Sequence, residues 1–190
     1  RPYKTLDDVF EQVEFFVDAV SDYKSDFVLF PEYFNAPLMA KFNHLGEAQS
    51  IRGLAQYTEE VRDRFINLAI SYNINIITGS MPYVKEDGGL YNVGFLVRRD
   101  GSYEMYEKVH VTPDEIKSWG LSGGKMVQTF DTDCAKIGIL ICYDVEFPEL
   151  SRIMADQGMQ ILFVPFLTDT QNGYSRVRVC AQARAIENEC

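Results

Sequence analysis

Three short stretches of this 190-residue chain carry side chains suited to covalent catalysis, and each sits where an apolar run or a strand ends. Phe27-Val28-Leu29-Phe30 is stopped by Pro31, and Glu32 follows directly. A carboxylate just past a buried strand is held partly out of water, which raises its pKa and suits it to general base work. Ile137-Gly138-Ile139-Leu140-Ile141 runs straight into Cys142, with a helix opening at Pro148. A thiol in that place is a candidate nucleophile, and the helix dipole is expected to favour its thiolate. Lys108 closes the stretch Tyr103 to Glu107 and enters a polar loop broken by Pro113, where a fixed cation could stabilise an oxyanion. His110 shares a face with Lys108 on an extended segment, so a Cys-His hydrolase or transferase stands beside a Glu-Lys-Cys arrangement. Each residue also has a bland role, as solvated acid, surface lysine or small buried hydrophobe, which would leave a non-catalytic scaffold.

The elements that must position these groups alternate between helix and strand. Leu6, Val9, Phe10, Val13, Phe16 and Val17 recur at steps of three and four, which predicts a helix over about 6–22. Residues 57–72 repeat that spacing through Val61, Phe65, Leu68 and Ala69. The continuous apolar runs at 27–30, 137–141 and 161–164 read as strands covered on both faces, and Ile74 to Thr78 is a further strand. Asp100-Gly101 is a two-residue hairpin signal between antiparallel strands Tyr91 to Arg98 and Tyr103 to Glu107. Helices over Pro148 to Gln157 and 175–189 complete a second unit, so two βαβ units bracket a hairpin. Strands covered on both faces need helical layers above and below, hence an α/β sandwich. The chain reads as one domain over 1–190 that lacks an N-terminal strand and a C-terminal segment.

Composition narrows the chemistry. With 18 Lys+Arg against 28 Asp+Glu and a net charge of −10, there is no basic stripe for nucleic acid or anionic lipid. No apolar run approaches the ~20 residues of a membrane span. Four cysteines without a C-x-x-C pair point to a reducing, cytoplasmic setting. Only His44 and His110 are available to a metal, and neither a P-loop nor a dinucleotide fingerprint occurs, so neither a metal nor a cofactor is expected.

Taken together, Phe-Pro-Glu-Tyr at 30–33, Glu-Lys-Val-His at 107–110, Leu121-Ser122-Gly123-Gly124, Cys-Tyr-Asp-Val-Glu-Phe-Pro-Glu-Leu at 142–150 and Arg184-Ala185-Ile186-Glu187-Asn188 form a pattern. In order and interval it resembles the nitrilase, or carbon-nitrogen hydrolase, superfamily. The resemblance spans essentially the whole chain, and the block that begins at Cys142 is its most specific piece. It implies a four-layer αββα sandwich and a catalytic set of Glu32, Lys108 and Cys142: base, oxyanion stabiliser and nucleophile. It further implies that the backbone N–H of Tyr143 assists the oxyanion. A second acid, Glu115 or alternatively Asp114, would position substrate or lysine, and Phe166 and Thr168 would shape the substrate pocket. The implied reaction is hydrolysis of a non-peptide C–N bond through a Cys thioester, releasing ammonia or an amine. The Tyr-Asp continuation after Cys142 resembles amidase-like branches, so a small-molecule amide is the expected substrate. A homodimer or higher homo-oligomer, and fusion to an N-terminal acetyltransferase domain, are further implications of the likeness.

Overall fold

A computed structural model describes Tyr3 and residues 5–190. Helix α1 (Leu6–Asp22) starts on a capping box, in which Thr5 and Asp8 each accept the other's backbone N–H, so two of the orphan donors are satisfied. Its buried stripe is Leu6, Val9, Phe10, Val13 and Val17. Phe16, expected on that stripe, is 53% exposed, because it lies on the turn's other flank.

Strand β1 (Phe27–Leu29) follows, then a 3-10 turn over Ala36–Phe42, helix α2 (Glu47–Ala55) and helix α3 (Thr58–Tyr72). Four strands come next: β2 (Asn75–Ile77), β3 (Met81–Val84), β4 (Leu90–Val97) and β5 (Tyr103–Glu107). They build the first sheet with β1. β1 and β2 are parallel, β2 and β3 run one after the other along one edge of β4, and β5 pairs with the other edge. The β4–β5 connection is a three-residue loop rather than two: Arg98 bonds Ser102 and Gly101 takes φ +87°, the left-handed position such a loop requires.

The second sheet holds β6 (Thr129–Asp131), β7 (Lys136–Ile139) and β8 (Ile161–Phe163), with β6–β7 antiparallel and β7–β8 parallel. Helix α4 (Pro148–Asp156) bridges β7 and β8, and helix α5 (Gln171–Asn188) follows.

Packing supplies the layers. α1, α2 and α3 bury Phe10, Leu54, Val61 and Phe65 against one face of the first sheet. Ile77, Leu96, Tyr106, Phe130, Ile137 and Ile139 fill the space between the sheets, where Phe27 and Phe163 also meet at 5.1 Å. Leu150 and Met154 of α4 close the outer face of the second sheet over Leu140 and Met159. The order is therefore helix, sheet, sheet, helix, the αββα sandwich. β2 is buried throughout, as continuous apolar runs require, but Leu29 on β1 and Ile161 on β8 stay 40% and 38% exposed. Both lie on strands that pair with a neighbour on one side only among the described residues, which leaves part of each face open. Among the described residues no helix is long and apolar enough to cross a membrane.

One glycine decides where β1 delivers its residues. Gly79 has φ +69°, and a Cβ there would lie 2.0 Å from the Pro31 carbonyl oxygen. The chain leaving β2 thus runs hard against the chain leaving β1, Ser80 N donates to Pro31 O (3.3 Å), and Glu32 bridges Ser80. Tyr106 donates its hydroxyl proton to the Gly79 carbonyl from β5 and locks the crossing.

Candidate active site

The groups singled out from the sequence converge where the two sheets face each other. Glu32 leaves β1, Lys108 leaves β5, and Cys142 follows β7, all at strand ends. Lys108 continues the ladder by one residue, its N–H donating to Asn92 O at 2.9 Å. Its ammonium, 2% exposed, donates to Glu32 Oε1 at 2.8 Å and to the two Glu115 oxygens at 3.0 and 2.9 Å. Glu32, 3% exposed, also accepts from Asn92 Nδ2 (3.0 Å) and from Leu167 N (3.1 Å), while the Cys142 thiol donates to Leu167 O at 3.9 Å.

Cys142 opens a 3-10 turn over Cys142–Glu146 and has φ 48°, a left-handed conformation that costs a non-glycine residue energy and is tolerated where the surroundings fix it. Its N–H is held by Pro165 O at 2.9 Å. Tyr143 is the second residue of that turn, and N–H groups in a first helical turn have no intrahelical acceptor, so this one is available to an anion. Arg184 of α5 braces the end of the turn by donating to Val145 O (3.0 Å) and Glu146 O (3.4 Å).

The charges are unequally settled. Burial pushes Glu32 up, and Lys108 only partly offsets it, so this carboxyl is the readier proton acceptor of the pair. Burial also acts on Glu115, but Lys108, the Thr112 N–H and the Tyr33 hydroxyl outweigh it and hold Glu115 below the usual glutamate range. Desolvation alone would lower Lys108; the two carboxylates overcome it and keep the ammonium charged. Burial, then the Glu32 charge, push the Cys142 thiol up to about 12. Burial thus outweighs whatever the helix dipole contributes to the thiolate, and the thiol needs a base to take its proton.

An open cavity of about 850 Å³ reaches these groups, lined by Glu32, Lys108, Glu115 and Cys142, with Trp119 and Thr168 on its walls. Asp114 lines it too, but it is Glu115 that contacts Lys108. Phe166 lies outside the lining and packs into the core between the sheets, tilted against Tyr174 at 6.1 Å, while Leu167 takes the place by the cavity. His110 stacks on Phe147 at 3.6 Å and meets Asp144 Oδ1 at 3.2 Å, whereas the charged groups acting on the thiol are Glu32 and Lys108. Among the described residues no three His, Cys, Asp or Glu side chains are grouped to hold a metal ion.

Sequence reasoning missed Asn92, Tyr33 and Thr112. Asn92 is fully buried in β4 and donates to Glu32; an amide inside the apolar strand Leu90–Val97 was the available signal. Tyr33 donates to Glu115 Oε1 at 2.8 Å, and Thr112 donates both its N–H (2.8 Å) and its hydroxyl (2.9 Å) to Glu115 Oε2.

Comparisons with known proteins place the chain among carbon-nitrogen hydrolases. The probable hydrolase YhcX of Bacillus subtilis (strain 168) is 51% identical over 178 residues, covering 94% of this chain and 34% of that protein. The omega-amidase NIT2 of Homo sapiens is 31% identical over 175 residues, covering 85% of this chain and 59% of that protein. The chain thus spans between a third and three-fifths of the length of these relatives. The crystal structure of a carbon-nitrogen hydrolase from Helicobacter pylori G27 shares the fold with a TM-score of 0.83 at 22% identity, over 99% of this chain and 67% of that one. Saccharomyces cerevisiae Nit3, of the nitrilase superfamily, superposes with a TM-score of 0.77 at 26% identity, over 94% of this chain and 65% of that one. The family model described as carbon-nitrogen hydrolase matches residues 2–190, and the chain belongs to that family.

Proposed function

We propose that this chain hydrolyses the C–N bond of a small-molecule amide through a thioester on Cys142. One observation carries the reading: a single buried carboxylate, Glu32, holds the Lys108 ammonium at 2.8 Å, and both line one open cavity with the Cys142 thiol, on which the Glu32 charge acts.

Because the thiol is neutral at rest, proton transfer to Glu32 accompanies attack of Sγ on the amide carbon. The C=O π pair moves onto oxygen, and Lys108 with the Tyr143 N–H balances that charge. The oxyanion collapses, the C–N bond breaks, and the Glu32 proton goes to the departing nitrogen, which leaves as ammonia or an amine. Glu32, ionised again, takes a proton from water as that water adds to the thioester. Collapse of the second oxyanion expels Sγ, which recovers its proton from Glu32, and the acid is released. Glu115 keeps Lys108 charged and aimed throughout. Amidase names among the relatives, such as the omega-amidase, favour an amide as substrate. We also propose self-association through α4 and α5, which leave Ile153, Val179 and Ile186 exposed.

A panel of small amides scored by ammonia release from the full-length protein tests the reading. Cys142→Ala should abolish release, and Glu32→Gln should cut kcat by at least about 100-fold, the usual contribution of a positioned base. Ammonia release that survives Cys142→Ala refutes it.

A further inference from the structure

Asp144 lies two residues from the nucleophile, is 1% exposed, and lines no part of the cavity. The reaction above gives it no proton to move and no charge to stabilise. Its oxygens are nevertheless fully occupied. Oδ1 accepts the His110 N–H at 2.7 Å and faces His110 Nδ1 at 3.2 Å, while Oδ2 accepts the N–H groups of Val109 and Ile141, both at 3.3 Å.

The identity of those donors is the point. Val109 and His110 are the two residues after Lys108, and Ile141 is the residue before Cys142. Lys108 leaves the edge strand of the first sheet and Cys142 leaves the middle strand of the second, so no ladder joins them. We propose that Asp144 is a positioning residue that ties the lysine loop to the nucleophile turn and so sets the separation of ammonium and thiol. The inference rests on the amidase reading for its meaning, but the tie itself is a matter of geometry.

Only an ionised carboxylate suits this place, because three backbone donors point at it and a protonated oxygen or an amide nitrogen would face one of them. Burial raises Asp144, while the His110 and Val109 N–H groups, Lys108 and His110 act against it, and three N–H donors on its two oxygens favour the ionised form. The His110 ring is not required for the tie, since its backbone N–H makes the shorter bond. Arg184 holds the far end of the same turn, so loss of the tie frees the end that carries the nucleophile.

The test is Asp144→Asn in the full-length protein, with His110→Phe and Val61→Ala beside it. His110→Phe keeps the stacked ring and the backbone donor. Val61, buried on α3 and outside the cavity lining, provides a variant of lowered Tm with the machinery intact. Whichever way the Asn amide turns, its NH2 faces the His110 donor on one side or the Val109 and Ile141 donors on the other, so the tie is broken in part, the loops shift and kcat should fall about 100-fold, the scale of a 1 Å misplacement, with KM within about twofold. His110→Phe and Val61→Ala should keep kcat within about threefold of wild type. The proposal is overturned if Asp144→Asn loses no more kcat than Val61→Ala, or if its loss lies in KM. Should the wild type hydrolyse no amide, the functional reading fails by itself, and iodoacetamide alkylation then reads the tie: the rate at Cys142 relative to Cys134 should drop in Asp144→Asn, and an unchanged ratio overturns the proposal. Should Asp144→Asn not fold, amide hydrogen exchange in the wild type decides. The N–H groups of Val109, His110 and Ile141 should be protected together, and exchange of 109 and 110 at the speed of an exposed loop overturns the tie.

Discussion

Replacing Lys108 by Met keeps the length of the side chain and removes the cation between two buried carboxylates. Glu32 and Glu115 lie 2.8 and 2.9 Å from that ammonium, and all three side chains are at most 8% exposed. Breaking a buried ion pair by deleting one partner costs about 3–5 kcal/mol, because the partner charge is left uncompensated. The carboxylates can escape by taking up protons. From the ordinary glutamate value of 4.5, each protonation at pH 7 costs at most about 3.4 kcal/mol, and at pH 5 about 0.7 kcal/mol. The variant should therefore be about 3–5 kcal/mol less stable than wild type at pH 7 and recover at least about 2 kcal/mol of that deficit at pH 5. The sign follows from linkage: in the variant both folded carboxyls sit above their unfolded value, so the folded state binds more protons and stability falls as pH rises through that window. Urea unfolding of both proteins at pH 5, 6 and 7 measures it. A deficit that is the same at pH 5 and pH 7 would refute the argument that Lys108 neutralises two buried glutamates.

Wild-type Glu115 behaves in the opposite sense. Its pKa is held below the ordinary value, so its stabilisation is present above pH 4.5 and lost as pH falls through its folded value; Glu115→Gln should flatten that acid-side loss in urea titrations. Gly79→Ala should lower stability by at least about 2 kcal/mol, because it combines positive φ with a Cβ against the Pro31 carbonyl, and an unchanged urea midpoint would contradict this. The Cys142 thiol, pushed up to about 12, should show no thiolate absorbance at 240 nm up to pH 9 when Cys142→Ser serves as the blank; a thiolate signal at pH 7 would mean that Glu32 is not needed as base.

The residues at strand ends were legible because the signal is local: an apolar run, then a reactive group. Glu32, Lys108 and Cys142 each announced themselves in this way, although 110 positions separate the first from the last. What supports them was not legible. Asn92, Tyr33 and Leu167 reach Glu32 or Glu115 from 23 to 135 residues away, and nothing local in a sequence encodes such a meeting. The dipole of a helix start is visible in sequence, whereas the burial that outweighs it at the thiol is a property of the packed sheets. Phe166 was misplaced because the chain past β8 is irregular: Leu167 and Thr168 both line the cavity, while Phe166 packs into the core between the sheets, and no periodicity in the sequence encodes that. The strands β3 and β6 escaped notice because Met81–Val84 and Thr129–Asp131 are too brief for periodicity to register.

The central claim is that Cys142 becomes covalently acylated with Glu32 accepting its proton. Rapid-quench mass spectrometry of the Cys142 peptide during turnover of an amide that releases ammonia tests it most directly. The account predicts an acyl mass on Cys142 in the wild type, formed and lost at rates that account for turnover, and at least about 100-fold slower formation in Glu32→Gln. Ammonia release with no adduct on Cys142, or an adduct that forms as fast without the Glu32 carboxylate, would contradict it.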